Sequence, residues 1–221
     1  MEANYVQRIR MTFSKDGPAR YISHLDLART LERALNRAQI PVAYTLGFNR
    51  RPRMQLASAL PLGYTSSYEM ADILLGERME PETVQSQLMA KMAPGITITA
   101  VKEVPTGGKS LPALTEEATY TARPLDPVDT AELRQQIARL LAADAVRRER
   151  GHGRKRKEYD LRPLILDLQL ADEPESPLLI EMRLLQQPSM TGRPDEVLRE
   201  LGLDPLDAHI HRQRLVLQDE T

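Results

Sequence analysis

Polar and apolar residues alternate near the start of the chain, over residues 5–13. Successive side chains of a β-strand point to opposite faces, so this period of two predicts a strand. One face carries Ile9 and Met11 and is largely apolar, whereas the other carries Arg8 and Arg10 and is basic.

Helical spacing follows this strand. Ser23 is a favourable N-cap residue, and Asp26 three positions later completes a capping box with a shorter acid than usual. Pro41 is expected to end the helix. The apolar positions that recur with helical spacing are Leu25, Ala28, Leu31, Leu35 and Ala38.

The rest of the first half completes one order of elements. Residues 53–58 and 66–75 are predicted strands, residues 80–92 are a predicted helix, and residues 94–104 are a final strand. The resulting order, β-α-β-β-α-β, is the split βαβ arrangement of a ferredoxin-like domain.

The same order recurs after residues 105–116, which we predict to be a linker because glycine and proline interrupt any periodicity there. The second helices of the two halves begin at Pro81 and Pro194, and both follow the pattern P-[DE]-x-V-x-x-x-L. This match and the repeated order favour a duplication. We therefore predict an α+β protein of two tandem ferredoxin-like (β-α-β-β-α-β) domains with antiparallel sheets, over residues 1–104 and 117–221.

Composition narrows the chemistry available to this sequence of 221 residues. It contains no cysteine, which removes disulfides, thiolate nucleophiles and cysteine-ligated iron–sulfur clusters. Its four histidines include one close pair, His209 and His211, but no third ligand is indicated, so we predict no metal site and no cofactor. No apolar run approaches the ~20 residues of a membrane span, and no signal-peptide pattern is present. We therefore expect a cytoplasmic protein that does not associate with a membrane.

The formal net charge is −1, yet arginines are concentrated on the first helix and in the following loop, GFNRRPR. The guanidinium group of arginine suits phosphate and also stacks on bases, and an aromatic side chain in the loop offers a second stacking surface. The alternatives are a solvated helix face and a buried aromatic anchor for the turn. The predicted RNA- or phosphate-binding residues of this region are Arg20, Arg29, Arg33, Arg37, Phe48, Arg50, Arg51 and Arg53.

A second basic segment, RRERGHGRKRKEYDLR, covers residues 147–162 and contains eight Lys/Arg against three Asp/Glu. Gly151 and Gly153 allow a ligand to approach the backbone of this predicted loop closely. Its cations can neutralise several phosphates of a bound nucleic acid. The alternative interpretation of the segment is a solvated, flexible run of charged residues that binds no ligand. The predicted phosphate-binding residues here are Arg154, Lys155, Arg156, Lys157 and Arg162.

His24 is the best candidate for proton chemistry. It falls in the first turn of the capped helix, where the helix dipole favours the neutral imidazole. In a metal-independent ribonuclease, a neutral histidine acts as the general base and nearby arginines stabilise the charged transition state, and here Tyr44 would assist His24. The alternative is a histidine that only packs or caps at the helix start, which we favour because Ser23 and Asp26 already explain a polar cluster there.

The sequence SHLDLARTLERALNRAQIPVAYTLGFNRRPR, residues 23–53, followed by ALPLGYTSSYE, residues 59–69, resembles the radical-SAM-linked family of uncharacterised proteins. Asn36 stands where that family usually has a basic residue. The later stretches GRKRKEYDLRP, residues 153–163, and GRPDEVLRELGL, residues 192–203, also resemble the family, so the likeness covers most of the chain.

This resemblance implies a domain that is fused behind a radical S-adenosylmethionine (SAM) enzyme or encoded near one, often beside genes for RNA processing and ribosomal proteins. Because the sequence has no cysteine, the radical enzyme itself cannot lie within it. The resemblance therefore implies an accessory protein.

Our leading hypothesis is an RNA-binding accessory that presents structured RNA, such as ribosomal or transfer RNA, to a partner radical SAM enzyme. Aromatic residues are scarce, so we expect phosphate and shape contacts to dominate, without sequence-specific binding of DNA. We expect no catalytic activity of its own. The alternatives are a metal-independent ribonuclease that uses His24, and a protein–protein adaptor whose basic loops dock an acidic partner.

Overall fold

The structure, a computed structural model, describes residues 5–151, 157–171 and 178–218. Within these residues the chain is an α+β protein with one eight-stranded sheet and a separate two-stranded hairpin. It divides into two compact units: unit 1 comprises residues 1–115 and 217–221, and unit 2 comprises residues 116–216.

Unit 1 begins with the predicted order of elements. Its strands lie in the order β4-β1-β3, with β2 also paired to β3, and the pairs β1–β3, β1–β4 and β2–β3 are antiparallel. The elements of unit 1 are β1 (Gln7–Lys15), α1 (His24–Arg37), β2 (Met54–Leu56), β3 (Thr65–Leu75), α2 (Pro81–Met89), β4 (Ile96–Val104) and a short α3 (Leu111–Leu114).

The core of unit 1 lies between the sheet and its two longer helices. Ile9 and Phe13 of β1 are fully buried, and they join Leu31 and Leu35 of α1 and Val84 of α2 in one cluster. Each such side chain contributes about 1.5–3 kcal/mol by leaving water. The apolar residues that recur every second position in β1 and about every 3.6 positions in α1 therefore pack against each other in one apolar layer.

Unit 2 repeats the order with one addition. Its strands lie in the order β10-β5-β9-β8, and the pairs β5–β9 and β8–β9 are antiparallel. The elements of unit 2 are β5 (Thr115–Pro124), α4 (Thr130–Ala142), β6 (Arg147–Arg150), β7 (Lys157–Asp160), β8 (Ile165–Ala171), β9 (Leu179–Leu185), α5 (Pro194–Glu200) and β10 (Ala208–Leu217).

Two features differ from the sequence-based expectation. The described strands form one eight-stranded sheet and a hairpin, whereas the sequence predicts two separate sheets. Alternation along a strand indicates its buried face but not where a sheet ends. The basic segment predicted as a loop contains the antiparallel hairpin β6–β7. Its strands lack apolar alternation, so sequence periodicity gave no sign of them.

Candidate functional site

Helix α1 presents an arginine face to solvent. The hydroxyl of Ser23 accepts a hydrogen bond from the backbone N–H of Asp26 (3.1 Å) and donates one to Asp26 Oδ2 (2.7 Å), which confirms the predicted cap. This side-chain hydrogen bond, helped by Arg29, lowers the pKa of Asp26. Because the apolar residues of α1 face the core, residues spaced by four on the other side are exposed. The arginine face of α1 consists of Arg29, Arg33 and Arg37.

These arginines form few hydrogen bonds or ion pairs with the described residues. Arg29 Nη1 lies 3.3 Å from Asp26 Oδ1, and Arg37 Nη2 donates to the carbonyl of Lys91 (2.8 Å). Arg33 has no ion pair or side-chain hydrogen bond within the part of the chain that the structure describes. Exposed ion pairs contribute only about 0.2–1 kcal/mol, so an anionic ligand can replace these contacts at little cost.

The arginine loop, residues 45–53, is closed at its base and exposed at its tip. The backbone N–H of Thr45 donates to the carbonyl of Arg51 (2.9 Å), and the N–H of Arg51 donates to Thr45 Oγ1 (3.0 Å). Arg50 and Arg51 are exposed, and Phe48 is fully exposed. Phe48 therefore does not anchor the turn, and its ring is open to a partner.

One hydrogen bond joins the base of the arginine loop to α1. The hydroxyl of Tyr44 donates to Asn36 Oδ1 at 2.9 Å. Asn36 lies one turn after Arg33 on the same side of the helix, because residues three apart are neighbours on a helix surface. The base of the arginine loop therefore contacts the last turn of α1, which also carries Arg37. We call the arginine face of α1 and the arginine loop together the basic surface.

His24 and Tyr44, the two predicted catalytic residues, are not brought together. His24 is the first residue of α1 and is half-buried, whereas Tyr44 contacts Asn36 in the last turn. A rise of 1.5 Å per residue separates these two turns by about 18 Å. The two side chains therefore cannot act on the same bond of a substrate.

Arg20 also lies at the far end of α1 from the arginine loop. Its Nε donates to the carbonyl of Gly63 (3.1 Å), and its guanidinium lies 5.2 Å from the centroid of the Tyr21 ring. These contacts hold the turn that leads into α1, so the structure does not place Arg20 within the basic surface.

Arg53 has a different environment from the other arginines of the loop. It is half-buried, and its guanidinium lies 5.5 Å from the centroid of the Tyr5 ring. It lines a cavity of about 490 Å³, together with Arg8 and Lys109. Arg53 therefore faces a recess at the base of the loop and not its exposed tip.

A buried charged cluster lies beside this cavity, and sequence periodicity alone does not predict it. Asp72 accepts hydrogen bonds from Arg8 Nε (2.9 Å) and Arg10 Nε (2.7 Å), and the arginine and aspartate side chains are 9% and 4% exposed. Arg10 and Asp72 lie directly opposite each other in the β1–β3 register. The sequence placed both arginines on one face of β1, and a lone aspartate in the apolar run of β3 was the only sign of their partner.

In unit 2, part of the second basic segment is structural. Arg150 Nη2 lies 2.7 Å from Glu196 Oε2, and Arg148 Nε lies 2.5 Å from Glu200 Oε1, so both arginines tie the β6–β7 hairpin to α5. The Arg150 guanidinium also lies 4.5 Å from the centroid of the Tyr159 ring. Burial raises the pKa of Tyr159 to about 12.

The predicted phosphate-binding residues of this segment differ in where they lie in the structure. Lys157 is the first residue of β7. Arg162 donates through Nε and Nη2 to the carbonyl of Leu141 (3.0 and 2.9 Å) and through Nη1 to the carbonyl of Ile165 (3.0 Å), so it joins the end of α4 to the start of β8. Outside the described residues lie Arg154, Lys155 and Arg156.

Residues 5–151, 157–171 and 178–218 contain neither a cluster of metal ligands nor a membrane-spanning helix. No group of three or more His, Asp or Glu side chains is placed there to hold a metal ion. None of the helices in those ranges is long and apolar enough to cross a bilayer.

Comparison with solved structures gives a match of low similarity. A chain from the "Crystal Structure of a Cbf5-Nop10-Gar1 Complex" matches with 9% sequence identity and a TM-score of 0.48, over 94% of this chain and 48% of that chain. This chain thus spans about half the length of the matched one. No curated protein matches the sequence.

The match to a protein family is extensive. The sequence pattern of a family described as "Uncharacterized protein conserved in bacteria (DUF2344)" matches residues 8–194. The matched residues include the whole basic surface, the buried cluster around Asp72 and most of unit 2. The chain therefore belongs to the DUF2344 family.

Proposed function

We propose that this protein is an RNA-binding accessory that presents structured RNA, such as ribosomal or transfer RNA, to a partner radical SAM enzyme. The observation that carries the proposal is the 2.9 Å hydrogen bond between Tyr44 and Asn36. It joins the base of the arginine loop to the last turn of α1, and both elements carry exposed arginines.

The chemistry of the basic surface supports RNA as its ligand. Arg50 and Arg51 are exposed, and neither forms an ion pair with another residue of the described chain. Their planar guanidinium groups match phosphate oxygens in pairs, and each phosphate neutralised releases counterions. Fully exposed Phe48 supplies a face on which an unpaired base can stack, for about 1–3 kcal/mol.

The same surface favours RNA over the two rival functions. A ribonuclease needs its base and its assisting group at one bond, whereas His24 and Tyr44 lie at opposite ends of α1. An acidic protein partner would use the arginines but gives no specific role to the exposed ring of Phe48 beside them. A binding assay separates this adaptor function from RNA binding.

We also propose that each unit is a ferredoxin-like domain and that the chain arose by duplication. Each unit places its four main strands in the order fourth-first-third-second, which is the order of the split βαβ fold. The second helices begin at Pro81 and Pro194, as the repeat predicts. The matched apolar residues of these helices are buried in both units: Val84, Leu88, Val197 and Leu201.

The radical SAM partner rests on the resemblance of residues 23–53 to the radical-SAM-linked family. The cluster of such an enzyme is held by cysteines, and this sequence has none, so the two functions would reside in different polypeptide segments. We place the complex in the cytoplasm, where its RNA would be found.

The test is retention of cellular RNA by the wild type and by the variant R50E/R51E. Charge reversal at the tip of the arginine loop should abolish retention while changing stability by only about 0.5 kcal/mol, since both residues are exposed. The matched control is R123E/R139E, which reverses two exposed arginines of unit 2 and should retain RNA. Equal retention by all three proteins would contradict the proposal, and binding to an acidic protein instead of RNA would support the adaptor.

A further inference from the structure

The cavity in unit 1 has the dimensions of a small-molecule site. Its volume of about 490 Å³ falls within the ~300–1,000 Å³ typical of ligand pockets. It lies on the face of the sheet that carries Arg8 and Asp72, opposite the apolar core formed by Ile9 and Phe13. None of the proposed RNA contacts at the loop tip lines it, so it is a second site.

The cavity has an excess of positive charge. Asp72 is the only carboxylate among the described residues that line it, and that carboxylate is shared by two buried guanidiniums, Arg8 and Arg10. One carboxylate cannot neutralise two arginines. Arg53 and Lys109 add two more cations to the walls. Unbalanced charge in a partly dry recess is costly, and a bound anion would relieve that cost.

Several donors in the cavity are placed for such an anion. Arg53 Nε is buried and has no hydrogen-bond partner among the described residues. Lys109 Nζ donates to the neutral amide of Gln218 (2.5 Å) and forms no ion pair with any of the described residues. The carbonyl of Lys109 accepts two hydrogen bonds from Arg8 (3.3 Å each), so this loop is tied to the buried cluster.

The remaining walls fit a planar ring better than a bare anion. Pro52 and Leu74 provide apolar surface. Gln55 is opposite Asp72 in the β2–β3 register and lines the cavity, so its amide offers both a donor and an acceptor to the edge of a base. Thr106 adds a hydroxyl from the segment between β4 and α3. A cationic end and an apolar end with one amide match a phosphate joined to a nucleobase.

We propose that this cavity binds one nucleoside monophosphate unit, either as a free nucleotide or as the phosphorylated end of an RNA strand. Arg53 and Lys109 hold the phosphate, and Gln55 contacts the edge of the base, which packs against Leu74 and Pro52. The site shares only Thr45, Pro52 and Arg53, at the base of the arginine loop, with the basic surface, and it can be tested apart from the RNA contacts proposed at the loop tip.

Calorimetric titration of the full chain tests the site with AMP, GMP, CMP and UMP, and with adenosine as the ligand that lacks phosphate. At least one nucleotide should bind, and the matching nucleoside should bind about tenfold more weakly or worse, because charge-assisted hydrogen bonds are lost. R53Q and K109Q should each weaken nucleotide binding by about tenfold. The matched control is R51Q, an exposed arginine of the same loop, which should bind nucleotide as the wild type does.

A second arm distinguishes the two sources of the ligand. A short RNA with a 5′-phosphate is compared with the same RNA carrying a 5′-hydroxyl. A preference for the phosphorylated RNA that R53Q removes, without binding of free nucleotides, identifies the RNA end as the ligand. No binding of any nucleotide and no preference for the phosphorylated end would overturn the proposal. If R50E/R51E loses RNA retention but binds nucleotide as the wild type does, the nucleotide site is independent of the RNA contacts at the loop tip.

Discussion

Replacing Asp72 by Asn should destabilise the fold strongly, because it leaves two buried arginines without their counter-charge. The Asp72 carboxylate accepts four hydrogen bonds from Arg8 and Arg10, at 2.5 to 3.0 Å. Its side chain is 4% exposed and those of the arginines are 9% exposed, so water cannot replace the lost partner. Removing one member of a buried ion pair typically costs about 3–5 kcal/mol. We expect a loss in that range, which is a large part of the ~5–15 kcal/mol that stabilises most proteins.

Urea unfolding followed by the circular dichroism of the helices measures this loss. The control is R78Q, which removes one member of the exposed pair between Arg78 and Glu103, 68% and 42% exposed, and should cost at most about 1 kcal/mol. A D72N protein whose unfolding free energy stays within about 1 kcal/mol of wild type would refute the reasoning. That result would mean that the two arginines are hydrated or have other partners.

Two further changes test the roles of single side chains. H24A should lower the unfolding free energy by about 1 kcal/mol. It should leave RNA affinity unchanged, because His24 lies about 18 Å along α1 from the base of the arginine loop. Metal-independent RNA cleavage by the wild type that is absent from H24A would instead identify a ribonuclease. Burial places the pKa of Tyr159 at about 12, above the ordinary value of about 10, so its contribution to stability is complete below pH ~10 and is lost as the pH rises towards 12. In a titration followed by phenolate absorbance, Y159F should remove the phenol that ionises near pH 12, whereas Y21F, which retains Tyr159, should keep it; an unchanged titration of Y159F would contradict this assignment.

Local periodicity predicted most elements because their stability comes from one buried face. The alternation in β1 identified Ile9 and Met11 as core residues, and both are fully buried. The capping residue Ser23 accepts the backbone hydrogen bond expected of it. In each of these cases the determining interaction lies within a few residues of sequence or depends on a simple repeat.

The parts that could not be predicted depend on contacts between distant residues. The partner of Arg8 and Arg10 is 62–64 residues away, and only the β1–β3 register brings Asp72 opposite Arg10. Residues 105–114 have the glycine and proline content of a linker, yet Lys109 is bound by Arg8 and Leu111 is buried. These contacts create the cavity, so no local pattern could have indicated it.

The hairpin β6–β7 illustrates the same limit for charged sequences. Seven of the eight residues in its two strands are charged, a composition that predicts solvated loop. Its stability comes from the ion pairs of Arg148 and Arg150 with α5. Those tertiary contacts decide which arginines of the segment form structural ion pairs and which stay available to a ligand.

The salt dependence of RNA binding tests the central claim most directly. Log Kd is measured against log salt concentration for the wild type and for R50Q/R51Q, with R123Q/R139Q as the control. If Arg50 and Arg51 each neutralise one phosphate, the slope for R50Q/R51Q should be smaller than that of the wild type by about 2, and the control should keep the wild-type slope. Identical slopes and affinities for wild type and R50Q/R51Q would contradict the assignment of the arginine loop as an RNA-binding surface.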